Sequence, residues 1–176
     1  RAHFTFRFFP PAVAEANPVP GGQRPFPIVN ITDQPGIGGT AEIVAAIDAL
    51  KAKRHDIHFR WLSNIPHAEV LAAIADADLA VGKMKMGYYA NAQIETMACG
   101  VPTITYVRDE FMTEQLRNSG FIFSTLPNLA DTIEQYIANP PTLESNRRIA
   151  RASIMAPRDN DLLPTRRHRH RAKPVT

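Results

Sequence analysis

The sequence predicts an α/β fold, an open, all-parallel sheet with helices on both faces. Two observations carry that reading. Between residue 27 and about residue 153, short apolar runs of β-forming residues alternate with longer segments of helical period, the pattern of consecutive βαβ units. The chain is also the right size, since 176 residues with 44% apolar content can bury one ordinary core and need not form two.

The elements follow in order. Residues 10–27 hold Pro10, Pro11, Pro18, Pro20, Gly21, Gly22, Pro25 and Pro27, a density of breakers that no helix or central strand tolerates, so residues 1–26 read as a linker. Strands are expected at 27–32, 56–62, 78–82, 102–107 and 121–123, and helices at about 40–53, 67–75, 92–99 and 109–118. In the first helix Ile43, Ala46, Ile47 and Leu50 share one face at the spacing that packs on a sheet, with Lys51 and Lys53 near its negative end. An amphipathic segment at 129–139, with Leu129, Ile133, Tyr136 and Ile137 on one stripe, is stopped by Pro140 and Pro141, and a further short helix is expected at 143–154. The domain therefore spans 27–156. Residues 157–176 form a basic tail without apolar periodicity, expected to be disordered.

Composition excludes several classes of function. The formal charge of +3 belongs to the tail, where six Arg and Lys face two Asp; the remaining residues hold 14 basic and 15 acidic groups. The tail lacks the interleaved aromatics that stack on bases, so no nucleic-acid partner is expected. His168 and His170 have no carboxylate or cysteine beside them, and no metal site is expected. Cys99 is the single cysteine, which rules out an internal disulfide and suits a cytoplasmic, reducing compartment, with a membrane-peripheral position left open. No run is long and apolar enough to span a bilayer. The chain opens with neither an initiator Met nor a signal pattern, and is expected to be a fragment of something longer.

In an open parallel sheet, ligands bind at the carboxyl ends of the strands, where loops expose helix amino termini. The richest such segment is residues 87–103, GYYANAQIETMACGVPT. Its small residues leave the third strand and open a helix, so backbone N–H groups can face a phosphate or a sugar hydroxyl. Glu95 follows about one turn into that helix, and a carboxylate there can accept both hydroxyls of a ribose. Gly100 ends the helix and Pro102 admits the next strand. An isolated Glu would read as a solvated helix residue; it is the surrounding pattern that singles Glu95 out.

Residues 94–104, IETMACGVPTI, resemble the block "glutamate, small, Met-Ala, Cys or Leu, Gly, any, Pro, Val" of retaining GT-B glycosyltransferases, the glycosyl transferases group 1. Three further blocks lie in the family's order. Gly38, Gly39 and Thr40, followed by Ile43, Ala46, Ile47 and Leu50, look like its "Lys-Gly-Thr, Ala-Ile, Leu" helix opening; residues 64–71, NIPHAEVL, look like its approach to the base-binding region; residues 75–81, ADADLAV, look like its "Ala-Asp, then apolar strand". The resemblance covers roughly residues 27–139.

It implies a Rossmann-like, donor-binding carboxyl-terminal half of a GT-B fold, with residues 1–26 a linker or the remnant of a missing amino-terminal domain. By it, Glu95 would hold the ribose, Gly87, Tyr88, Tyr89, Ala90 and Asn91 would line the donor sugar and phosphates, and Ser63, Asn64, Ile65 and Pro66 would border the base. The partners implied are a nucleoside-diphosphate-sugar donor, a sugar, lipid or protein acceptor, and the missing domain, without a cofactor and with no catalytic residue assigned in this chain. His67 matches a family position, but a helix-start role serves equally well.

Two departures bear on activity. The family's acidic residue eight positions before the ribose-binding glutamate is Gly87 here, and the basic residues expected after the first strand are absent from residues 33–39, DQPGIGG, where Gly38 stands in place of Lys. Lys83 and Lys85, on the loop after the third strand, could supply charge or simply be solvated. A non-catalytic module that binds a nucleotide sugar or a protein partner is therefore the alternative. An epimerase, which would need an acid–base pair, is not favoured, because Asp109 and Glu110 suit a helix start.

Overall fold

The computed structural model describes residues 24–53 and 56–155. Expectations for residues 1–23, and for the tail from residue 156, lie outside the described residues.

Five strands form one sheet: β1 (Phe26–Ile31), β2 (Ile57–Leu62), β3 (Leu79–Val81), β4 (Thr103–Thr105) and β5 (Ile122–Phe123). Their order is β2-β1-β3-β4-β5 and every pairing is parallel. Chain order reverses between β1 and β3, so the loops leaving those strands diverge and open a crevice at the carboxyl edge. The connections are α1 (Pro35–Gly38) and α2 (Thr40–Lys53), then α3 (His67–Ala75), α4 (Asn91–Ala98), α5 (Glu114–Arg117), α6 (Leu129–Ala138) and α7 (Pro140–Met155).

Strand alternation sends successive side chains to opposite faces. Ile28, Leu79, Ile104 and Ile122 meet Ile43, Ile47 and Leu50 of α2 and Leu129 and Ile133 of α6 on one face. On the other, Val29 and Ala80 meet Val70 and Ile74 of α3, and a neighbouring cluster joins Met97 of α4 to Val107, Leu116 and Phe121. The predicted face of α2 is thus the buried one, and Lys53 at its end pairs with Glu134 at 3.6 Å.

Two expectations are corrected, and one helix is additional to those expected. Residues 33–39 contain the short helix α1, whose Pro35 sits at the first helical position and whose carboxyl end is closed by Gly39 at φ 78°. The helix expected at 109–118 is two pieces, a 3-10 turn at Asp109–Phe111 and then α5, because Met112 is extended and Thr113 caps afresh, its Oγ1 accepting from the Leu116 N–H at 3.1 Å. The last helix starts at Pro140 rather than 143, since Pro is tolerated in a first turn, and the Asn139 side chain accepts from the Thr142 N–H at 3.2 Å.

α7 runs along the amino edge of the sheet. Its Arg147 donates to Asp78, just before β3, at 2.7 Å, and Asp78 also accepts both bonds from Arg24 at 3.0 Å. Arg151 lies against Gly100, ahead of β4, and Ala150 against Gly120, ahead of β5. Leu143 and Ala150 belong to cores on opposite faces, so α7 pins the two layers together beneath the strands.

Candidate functional site

The carboxyl edge is built by four loops, each stitched to a neighbour. From the β1 loop, Asp33 Oδ1 accepts the Asn64 N–H at 2.9 Å and faces Ser63 Oγ at 3.5 Å. This holds Asn64 at φ 52°, a left-handed conformation that asparagine tolerates, and it fixes the turn after β2. The Gly38 carbonyl accepts the Met84 N–H at 2.8 Å and ties the α1–α2 junction to the loop after β3. The Gly87 carbonyl accepts the Arg108 N–H at 3.0 Å, joining the β3 and β4 loops. His67, the first residue of α3, places Nε2 3.4 Å from Oε2 of Glu95.

α4 is positioned by a buried polar ladder. Gln93 Oε1 accepts the Ala90 N–H, the reach-back half of a capping box, while its Nε2 donates to Thr105 Oγ1 at 2.6 Å. One turn on, Thr96 and Thr103 share a hydroxyl bond at 2.6 Å. Gly82 leaves room for this ladder, since a Cβ there would stand 2.1 Å from Gln93 Nε2. The helix amino terminus, with Ala90 as its cap, thereby opens at the carboxyl edge, and the Gln93 N–H bonds the Ala90 carbonyl at 3.0 Å.

Glu95 is the fifth residue of α4, and its side chain is 30% exposed. His67 is its one polar side-chain contact among the described residues. One turn further on, Cys99 has its thiol pKa pushed up, first by burial and then by the Glu95 charge, with Arg151 opposing.

The remaining expected residues divide by burial. Ser63 and Ile65 are half-buried, and Asn64 and Pro66 exposed, on the turn after β2; Tyr88 and Ala90 are half-buried and Asn91 exposed at the mouth of α4. Gly87 is buried at φ 76°. Tyr89 packs its ring on Phe121 with centroids 5.3 Å apart, so that ring serves the core, while Tyr88 stacks on it at 4.4 Å and meets Phe111 edge-on at 5.7 Å. Lys85 is paired with Glu42, whose carboxyl is held below its usual range chiefly by that hydrogen bond. Lys83 makes no ion pair among the described residues.

Solved structures share this arrangement of strands and helices. The fold is that of the Rossmann-like half of GT-B glycosyltransferases. A point mutant of S. aureus TarM, crystallised with fondaparinux, α-GlcNAc-glycerol and UDP, superposes with a TM-score of 0.57 at 15% identity over 78% of this chain and 34% of its own. The sucrose-phosphate synthase of Thermosynechococcus elongatus gives 0.57 at 17% identity over 74% of this chain and 41% of its own. WaaG, a glycosyltransferase involved in lipopolysaccharide biosynthesis, gives 0.52 at 15% identity, over 77% and 44%. This chain spans between a third and a half of the length of these GT-B proteins. No protein-family model matches the sequence, nor does any curated protein.

Within this GT-B half, three residues escaped the sequence reading. Asp33 stands in a loop judged only by its missing cations, and Gln93 looks like an ordinary polar helix residue. Arg108 was the most visible of the three, a lone cation directly after the predicted fourth strand, where the carboxyl edge lies.

Proposed function

We propose that the chain is the donor-binding half of a glycosyltransferase, one that moves a sugar from a nucleoside-diphosphate sugar to an acceptor with retention at the anomeric carbon. The observation that carries the reading is the placement of Glu95, a half-exposed carboxylate held by an ordered helix at the crevice edge beside His67. A carboxylate in that position accepts two hydroxyls of a ribose through charge-assisted hydrogen bonds. The α4 amino terminus and the loop at residues 87–91 would receive phosphate and sugar, and the turn at residues 63–66 would border the base. The acceptor, whether sugar, lipid or protein, and the groups that activate it would be supplied by a second domain.

One observation favours the non-catalytic alternative. The described loop between β1 and α2 carries no Lys or Arg, so the diphosphate leaving group loses a source of transition-state stabilisation there. Titration calorimetry of the chain against UDP, ADP, GDP and their glucose conjugates tests the shared part of both readings. Saturable binding of one nucleotide, lost in Glu95→Ala, is expected; no heat from any of them would leave the donor reading without support. Sugar transfer by a two-domain form then separates enzyme from binding module.

A further inference from the structure

Arg108 occupies the space that any side chain at position 87 would need. A Cβ on Gly87 would stand 2.6 Å from Arg108 Nε, 2.7 Å from its Cγ and 2.9 Å from its Cδ, and Gly87 is at φ 76°, where other residues are strained. The stem of the arginine therefore lies across the loop that leads into α4, and its backbone N–H is bonded to the Gly87 carbonyl at 3.0 Å. The guanidinium is further held over the Phe111 ring at 4.8 Å from its centroid, yet the side chain stays 49% exposed. Among the described residues its one ionic contact is Glu110 at 3.3 Å, itself 63% exposed, and a pair so open to water is weak enough for a ligand anion to displace. The result is a pre-set planar donor at the mouth of the crevice, with the geometry that grips phosphate or carboxylate oxygens in pairs.

We propose that Arg108 is the anion-recognising residue of the crevice, so that the part of the ligand delivered to the Gly87 end of the loop is negatively charged. This rests on the donor-site reading and reverses the charge that the family resemblance implies at that end. Gly87 and Arg108 act as a unit: the glycine removes the side chain so that the cation can lie across the loop. The oxygens recognised belong either to the diphosphate or to a carboxylate on the donor sugar, as in a uronic acid.

The test is calorimetry of the wild-type chain, Arg108→Met and Glu110→Gln with UDP, UDP-glucose, UDP-glucuronate and inorganic pyrophosphate, at low and moderate salt. Arg108→Met keeps the stem against Gly87, so its melting temperature should match that of the wild type. It is expected to weaken binding about tenfold, the scale of one charged hydrogen-bond pair, and Glu110→Gln is expected to strengthen it. A loss shared by UDP and pyrophosphate assigns the diphosphate, and a loss confined to UDP-glucuronate assigns a sugar carboxylate. Binding of all four by Arg108→Met as tightly as by the wild type overturns the role of Arg108 while leaving the donor site standing. Silence of the wild type towards every probe overturns the donor reading and this inference together.

Discussion

The two edges of the sheet are built differently although the same five strands supply both. At the amino edge α7 meets the residues ahead of β3, β4 and β5, and charged groups there are matched: Asp78 takes Arg24 and Arg147, the latter only 19% exposed. At the carboxyl edge the charged groups are half-open or fully exposed. Among the described residues Glu95 touches only His67 among polar side chains, Arg108 leans on an exposed Glu110, and Asp33 holds a turn rather than a partner charge. The charges ahead of β3 are thus closed on one another, whereas Glu95 and Arg108 at the carboxyl edge each hold a weak, open partner that a ligand can displace. Substitutions at the amino edge should therefore cost stability, and substitutions at the carboxyl edge should cost binding.

The sharpest way to break this contrast is Gly120→Val. Gly120 sits at φ 86°, and a Cβ would meet the Ala150 backbone at 3.0 Å, so strain and overpacking combine. A loss of about 3 kcal/mol is expected from chemical denaturation. A change under about 0.5 kcal/mol would mean that α7 does not clamp this edge. At the opposite edge, Glu95→Ala should weaken nucleotide-sugar binding by about 2 to 3 kcal/mol with the melting temperature nearly unchanged. A large fall in stability, with no ligand bound by the wild type, would assign Glu95 to structure instead. Arg147→Ala should cost about 2 kcal/mol of stability by leaving Asp78 with Arg24 alone, and should not affect ligand affinity.

The smallest effect expected is chemical. Because burial and the Glu95 charge both raise the Cys99 pKa, the thiol is more fully protonated at pH 8 than a free cysteine and should react more slowly with iodoacetamide. Glu95→Ala removes one of the two causes and should speed the reaction. An unchanged rate would place the Glu95 charge too far from Cys99 to matter.

The pattern of apolar residues revealed the sheet and the main helices because burial dictates it. Ile43, Ile47 and Leu50 recur at helical spacing, and the β3 residues Leu79, Ala80 and Val81 form a continuous apolar run because both faces of an inner strand are covered. Local capping was less legible. Thr113 resets the chain after an extended Met112, and Pro140, which reads as a stop, is in fact a start. The buried ladder was hidden for a different reason: Thr103 and Thr105 alternate with Ile104 as in a half-exposed strand, yet both are fully buried, their hydroxyls taken by Thr96 and Gln93. Pairing between residues seven and twelve positions apart on different elements leaves no periodic trace.

For the site, the helix carrying Glu95 was visible through its motif, and the residues expected around it lie on the turn after β2 and the loop after β3. What the sequence could not supply was their contacts. His67 reaches Glu95 across 28 positions, Asn64 reaches Asp33 across 31, and Arg108 replaces a side chain at Gly87. Each depends on two loops meeting at one edge, which follows from strand order rather than from any local pattern.

Ligand binding is expected to be confined to the carboxyl edge. Amide chemical-shift mapping of the isotope-labelled chain, titrated with UDP and UDP-glucose, addresses it directly. Shifts are expected to concentrate in residues 63–67, 87–95 and at Arg108, with α7 unmoved. Shifts centred on α7 and the amino edge, with the loop at residues 87–91 silent, would contradict it.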